Sequence, residues 1–184
     1  MTSTILQTLH QDHANQLQFL SLVETEIGKL DDVSDPADFE FLSLALEYCS
    51  NFPNRYHHHK EDRIYERLVA RDPAIGDRID DLIQDHKTLE RLTREFANAV
   101  AQAIASGDST GLFETATQFA RNYRYHIGIE ETDFFPRARN VLTEADWHAI
   151  EASYREEADP LFGEQTRQAY IALQERIVAQ SVGG

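Results

Sequence analysis

Four long stretches of this 184-residue chain repeat apolar residues at steps of three and four, and its eight glycines and five prolines gather mostly between them. That spacing lays one buried stripe along a helix, so the chain is predicted to be all-α. Asp35-Pro36, Asp72-Pro73 and Asp159-Pro160 each pair an N-cap carboxylate with a proline suited to the first helical position. At Ser106-Gly107-Asp108, glycine can close one helix and aspartate open the next. Thr143 and Asp146 have the spacing of a capping box, with Leu142 and Trp147 placed for a hydrophobic staple. These marks predict long helices over about 3–30, 36–71, 73–105 and 109–141, then two shorter ones opening at Thr143 and Asp159. Short connections make neighbouring helices antiparallel. The expected fold is an up-down-up-down four-helix bundle over about 3–141, with accessory C-terminal helices over about 143–180, all in one domain spanning 1–184. Pro53 removes a backbone donor inside the second helix and predicts a kink just before the histidine run.

Polar residues interrupt the apolar stripes at matching levels. The first helix reads Leu6, Leu9, His13, Leu17, Leu20, Ile27, and the third reads Ile79, Leu82, His86, Leu89, Phe96, Val100. The second carries His57 and Glu61 on its stripe, and the fourth carries His126 and Glu130. An ionised glutamate in a core is costly unless it is paired or binds a metal, and here two would be buried, each one turn from a histidine. The i, i+4 spacing sets each pair on one helix face, about 6 Å apart along the axis. His58, beside His57, can approach from the side. Counted from Asp72, the His57–Glu61 pair lies about 13 residues back and His86 about 14 forward; counted from Gly107, His86 and the His126–Glu130 pair are each about 21 away. Counting places His13 about four residues, roughly 6 Å, off this level, a margin the Asp31–Asp35 loop can absorb, so His13, His57, His58, Glu61, His86, His126 and Glu130 are predicted to meet in one layer as metal ligands.

Imidazole and carboxylate without thiolate suit iron, manganese or zinc. Two six-coordinate metals need about twelve ligand positions; five histidines, two bridging carboxylates and one bridging oxo or hydroxo group supply about eleven. The prediction is a two-metal centre with one open position, which O2, peroxide or another small ligand could take if the metals are redox-active irons. No histidine has glutamate three residues before it, so the Glu-x-x-His pattern of ferritin-like sites is absent. His-Glu-x-x-His, Gly-rich phosphate loops and Cys-x-x-Cys are absent too. Tyr123, one turn before His126, is a candidate donor to a bound small ligand, and His10 and Glu90 are candidates to orient a ligand. Glu131 and Asp62 are expected to face solvent or support a ligand from outside.

The formal net charge of -15 disfavours nucleic acid and anionic membrane. No stretch reaches the roughly 18 apolar residues of a membrane span, and the start lacks a basic segment followed by an apolar block. Cys49, the single cysteine, has no internal partner for a disulfide, which fits a reducing cytoplasm. No protein partner is legible.

These residues resemble the hemerythrin family, particularly bacterial domains with the histidine-histidine-glutamate cation-binding pattern. Leu9-His10-Gln11-Asp12-His13 is similar to the family's first-helix motif, His57-His58-His59-Lys60-Glu61-Asp62 to its second, Gln84-Asp85-His86 to its third, and His126-Ile127-Gly128-Ile129-Glu130-Glu131 with Phe134-Phe135-Pro136 to its fourth. The segment from Leu142 to Gly163 resembles the tail of stand-alone bacterial members. The resemblance implies a di-iron protein that binds or senses O2 or a related small ligand, in an oxygen, redox or iron response; the alternative it carries is an enzyme that reduces peroxide or detoxifies nitric oxide. Invertebrate oxygen carriers place two histidines on the third helix, whereas here the second of these is His58, which argues against simple oxygen carriage.

Overall fold

The computed structural model describes residues 4–30, 32, 34–154, 159–162 and 168–183, and among these every regular element is helical. Four rods form the body. The first is α1 (Thr4–Gly28). The second joins α2 (Phe39–Asn51) and α3 (His58–Arg71) through a π-helical turn, Pro53–His57. A 3-10 turn at Pro73–Ile75 leads into α4 (Gly76–Ser106), the third rod. The fourth joins α5 (Leu112–Ile129) and α6 (Phe135–Val141) through a second π turn, Glu130–Phe134. Two shorter helices follow, α7 (Glu144–Glu151) and α8 (Ile171–Gly183). Short connections reverse the chain each time. α1 packs on α5 and α2, while α4 packs on α2 and α5.

Both π turns follow from the sequence. Cys49, Pro53, His57 and Glu61 are buried at four-residue steps, as are His126, Glu130, Phe134 and Ala138. In an α-helix each such step overshoots a full turn by about 40°, so the later residues would swing off the buried face. The wider turn absorbs the drift. A proline stands at each place: Pro53 opens the first, and Pro136, which has no N–H to give Thr132, follows the second. His58 N then donates to Pro53 O, and Phe135 N to Glu130 O, five residues back in each case. The expected irregularity at Pro53 is therefore a π turn that ends on His57, the first ligand candidate of that rod, and Pro136 marks a second that was not anticipated.

Helix starts differ from expectation at three points. Asp38, not Asp35, caps α2, accepting from Phe41 N at 2.9 Å. Gly107 closes α4 at φ 71 as expected, but the next helix begins at Leu112 after Gly111, because Asp108 spends its carboxylate on Thr110 N in a tight turn. Asp159-Pro160 leads into a turn over 160–162, where Asp159 accepts from the backbone of Leu161 and Phe162 and from the Tyr48 hydroxyl. The last helix starts later, at Ile171. Residues 163–167 lie outside the described residues.

The Thr143 capping box forms as predicted, with Asp146 N donating to Thr143 Oγ1 and Thr143 N to Asp146 Oδ2. Arg71, at the end of α3, grips the same Asp146 carboxylate at 2.9 and 3.0 Å, tying α7 to the bundle. Thr143→Ala is expected to cost about 1 kcal/mol and to lower the melting temperature by about 2–4 °C in a thermal scan.

The apolar interior falls into two clusters. The larger lies among α1, α2, α4, α5 and α8 and includes Phe19, Tyr48, Phe96 and Phe119. The smaller, including Ile5, Tyr65, Leu82, Phe134 and Trp147, lies toward the other end. A buried polar layer separates them. No helix among the described residues is long and apolar enough to cross a membrane.

Candidate metal centre

All seven residues expected to ligate metal are buried in that layer, and they come from all four rods. Glu61 and Glu130 are fully buried at its middle. Glu61 Oε1 lies 3.2 Å from His13 Nε2 and 3.1 Å from His57 Nε2, while its Oε2 lies 3.5 Å from His86 Nε2. Glu130 Oε2 lies 3.4 Å from His13 Nε2 and 3.3 Å from His126 Nε2, and its Oε1 lies 3.7 Å from His86 Nε2. His58 stacks flat on His86, with ring centres 4.1 Å apart, and meets His126 edge-on. Two groups of donor atoms are each close enough to hold one cation: His58, Glu61, His86 and His126 form one, and His13, His57 and Glu61 the other. Glu61 belongs to both, and Glu130 reaches histidines of both. His13, placed about a turn off the common level by residue counting, sits within the layer.

Among the described residues, the inward nitrogens of His13, His57, His86 and His126, both oxygens of Glu61 and one of Glu130 make no hydrogen bond. Buried polar atoms are ordinarily satisfied. So many orphaned donors and acceptors converging on one point fit cations, and the donor set suits a metal of intermediate hardness.

The outer nitrogens are held differently. Asp12 on α1 meets His57 Nδ1 at 3.1 Å, Asp62 on α3 meets His86 Nδ1 at 3.2 Å, and Glu131 of the fourth rod meets His13 Nδ1 at 2.7 Å. Asp85 on α4 stands 4.0 Å from His126 Nδ1, an ion-pair distance without a hydrogen bond. Each of these acids adjoins a ligand candidate on its own helix and braces a histidine on the next. The braces close a circuit from first rod to second, third, fourth and back to first. A carboxylate on Nδ1 fixes the tautomer that points a bare Nε2 inward.

Of the supporting candidates, His10 is partly exposed and joins the circuit through Glu131 Oε2 at 2.7 Å. Glu90 lies on the surface paired with Arg94 at 2.8 Å and takes no part. Tyr123 is buried one turn from the layer, its hydroxyl unpaired among the described residues. Asp62 and Glu131 each hold a ligand candidate from outside, Asp62 meeting His86 and Glu131 meeting His13. Asp12, Asp85 and Tyr65 were missed. For the acids the available signal was a carboxylate adjoining a ligand position in each rod: Asp12-His13, Glu61-Asp62, Asp85-His86 and Glu130-Glu131. Tyr65, one turn beyond Glu61, donates its hydroxyl to Glu130 Oε1.

Burial opposes protonation of His13, His57 and His86, but the facing carboxylates outweigh it and raise all three above the usual 6.5. Burial likewise opposes ionisation of Glu61 and Glu130, yet the histidines hold both below the usual 4.5. His58, desolvated and beside His86, is lowered and stays neutral. A raised histidine stabilises the fold fully below 6.5 and loses that contribution as pH rises through its folded value. A lowered glutamate contributes fully above 4.5 and loses it on acidification. His58 runs against the other histidines. The lowered His58 loses its contribution on acidification below 6.5 and the three raised histidines lose theirs above it, so the metal-free protein is expected to melt highest near pH 6.5, at the upper edge of the window from 4.5 to 6.5, and progressively lower above it. Melting curves in chelator across this range check it; a steady rise toward pH 9 would contradict the charge pattern.

Comparison with known proteins agrees with the geometry. The family model for the hemerythrin HHE cation binding domain matches residues 4–138, reaching all four rods and covering every residue of the layer. No curated protein and no solved structure matches the chain. The match spans most of the 184 residues, and the chain belongs to the hemerythrin HHE cation-binding domain family.

Proposed function

We propose that the chain holds two iron ions, bridged by an oxo or hydroxo group, and binds or senses O2 or a related small ligand such as peroxide or nitric oxide. The ligands are His13, His57, His58, His86 and His126, with Glu61 and Glu130 bridging. The observation that carries the reading is the division of donor atoms into two groups that share Glu61, with unpaired imidazole nitrogens turned toward both carboxylates. One group offers three histidines and the other two, so with both carboxylates and a bridging oxygen shared, the His13–His57 side is one ligand short of six. A pair of irons there supplies reversible one-electron chemistry and a position for a small molecule. The protein's part is to exclude bulk water, fix the imidazoles through Asp12, Asp62 and Glu131, and hold Glu130 through the Tyr65 hydroxyl. The lone Cys49 is buried and its thiol is pushed well up by burial, so it offers no competing nucleophile and suits a reducing cytoplasm.

Metal analysis with absorption spectra of the reduced protein, before and after air or azide, tests the reading. About two irons per chain and a ligand-dependent near-ultraviolet band are expected. One metal per chain, or no spectral response, sinks it. Peroxide turnover by the iron-loaded protein well above that of free iron would move the assignment from binding to catalysis.

A further inference from the structure

Toward the larger apolar cluster, the bundle leaves about 200 Å³ of space unfilled by atoms, divided too finely to hold a water-sized sphere. Phe19, Leu20, Pro53 and Phe119 are its apolar walls, and Gln16 and Tyr123 also line it. Gln16 follows His13 by three residues, Pro53 precedes His57 by four, and Tyr123 precedes His126 by three, so the space lies one helical turn from the layer on three rods.

Gln16 is 2% exposed, and both atoms of its amide lack a hydrogen-bond partner among the described residues; Tyr123 is 3% exposed with its hydroxyl equally unpaired. An unsatisfied buried polar group costs roughly as much as a good hydrogen bond gains. Two such groups lining one apolar space are not explained by packing, because phenylalanine and methionine would fill the same volume without penalty. Burial, together with the negative charges that include Glu61 and Glu130, raises the Tyr123 phenol well above its usual value, so it stays a proton-bearing donor at any working pH.

We infer that Gln16 and Tyr123 form a two-point polar clamp for the small ligand, selecting molecules of two or three heavy atoms that carry negative charge on the end remote from the metal. This rests on the metal reading above. Once a side chain has shifted, the apolar walls suit a neutral diatomic, and the amide and phenol then donate to whichever end gains charge, giving selectivity over ligands that stay apolar when bound. The unfilled space is too narrow for direct admission, so a side chain must shift. Gln16, held by no hydrogen bond among the described residues, is able to do so.

Azide titration of the iron-loaded protein, with iron content measured on the same samples, tests the clamp in wild type, Tyr123→Phe and Gln16→Met. Each substitution is expected to weaken azide about tenfold or more, the loss of one hydrogen bond to a charged group. A second readout needs no metal: each variant's metal-free form is expected to melt a few degrees higher, about 2–4 °C, since an unsatisfied group has gone. A structural role would lower the melting temperature. Unchanged azide affinity at equal iron content overturns the clamp and leaves the metal reading intact. Melting temperatures that fall in both variants also overturn it. Failure of all three proteins to take up iron defeats the metal reading, and the clamp with it.

Discussion

Glu61→Gln is expected to abolish the paired centre, dropping metal content from about two ions per chain to one or none, while Glu90→Gln leaves it unchanged. The contrast tests position, not charge count, because each variant removes one negative charge. Glu61 is fully buried and belongs to both groups of donor atoms, whereas Glu90 lies on the surface paired with Arg94. Glutamine keeps the volume of the side chain but brings an amide that cannot neutralise two cations. Loss of an outer brace such as Asp12 typically weakens a metal about 10–100-fold; loss of a shared inner ligand is expected to exceed that. Metal analysis after dialysis against limiting chelator measures both. Full retention of two ions in Glu61→Gln would place the centre elsewhere.

The seven inward residues were legible because each breaks an apolar stripe whose period is otherwise regular, and a buried charge is too costly to be incidental. Depth along the bundle was legible as well, since antiparallel rods of fixed rise per residue turn residue counts into heights. Counting erred most for His13, whose connection to the next rod is the longest and whose partner α2 starts at Phe39, later than the Asp-Pro mark suggested. Asp12 and Asp85 escaped because an acid beside a ligand looks like an ordinary solvated charge until the neighbouring rod is in place. Their function belongs to pairs of helices, not to one. Tyr65 escaped for the same reason: its ring packs among Phe134 and His86, and only the position of Glu130 gives its hydroxyl a role. The π turn at Pro53 had a visible cause. The one at Glu130–Phe134 had the same cause in Pro136, with a second clue in the unbroken run of four-residue steps.

Stripping metal from the loaded protein is expected to lower its melting temperature by about 8–16 °C while leaving most helical circular dichroism in place at 25 °C. A site holding its ion at about 1,000 times Kd adds roughly 4.1 kcal/mol to the folded state, and each kcal/mol is worth about 2–4 °C in a chain of this size. Helicity persists because the two apolar clusters pack independently of the polar layer and between them bury faces of every rod. The melting temperature falls because that layer crosses the whole section of the bundle. Without cations it sets Glu61 and Glu130 side by side, each raising the cost of ionising in company with the other, and leaves orphaned nitrogens and oxygens in a dry interior. The braces from Asp12, Asp62 and Glu131 hold the imidazoles facing inward even then, so the metal-free layer cannot relax by turning its donors to solvent. Preorganisation of this kind favours tight binding at the expense of the unloaded state. Calorimetric scans with and without chelator measure the shift. Equal melting temperatures at confirmed metal loss would mean that the orphaned atoms find partners within the protein, and the cations would then have no structural part.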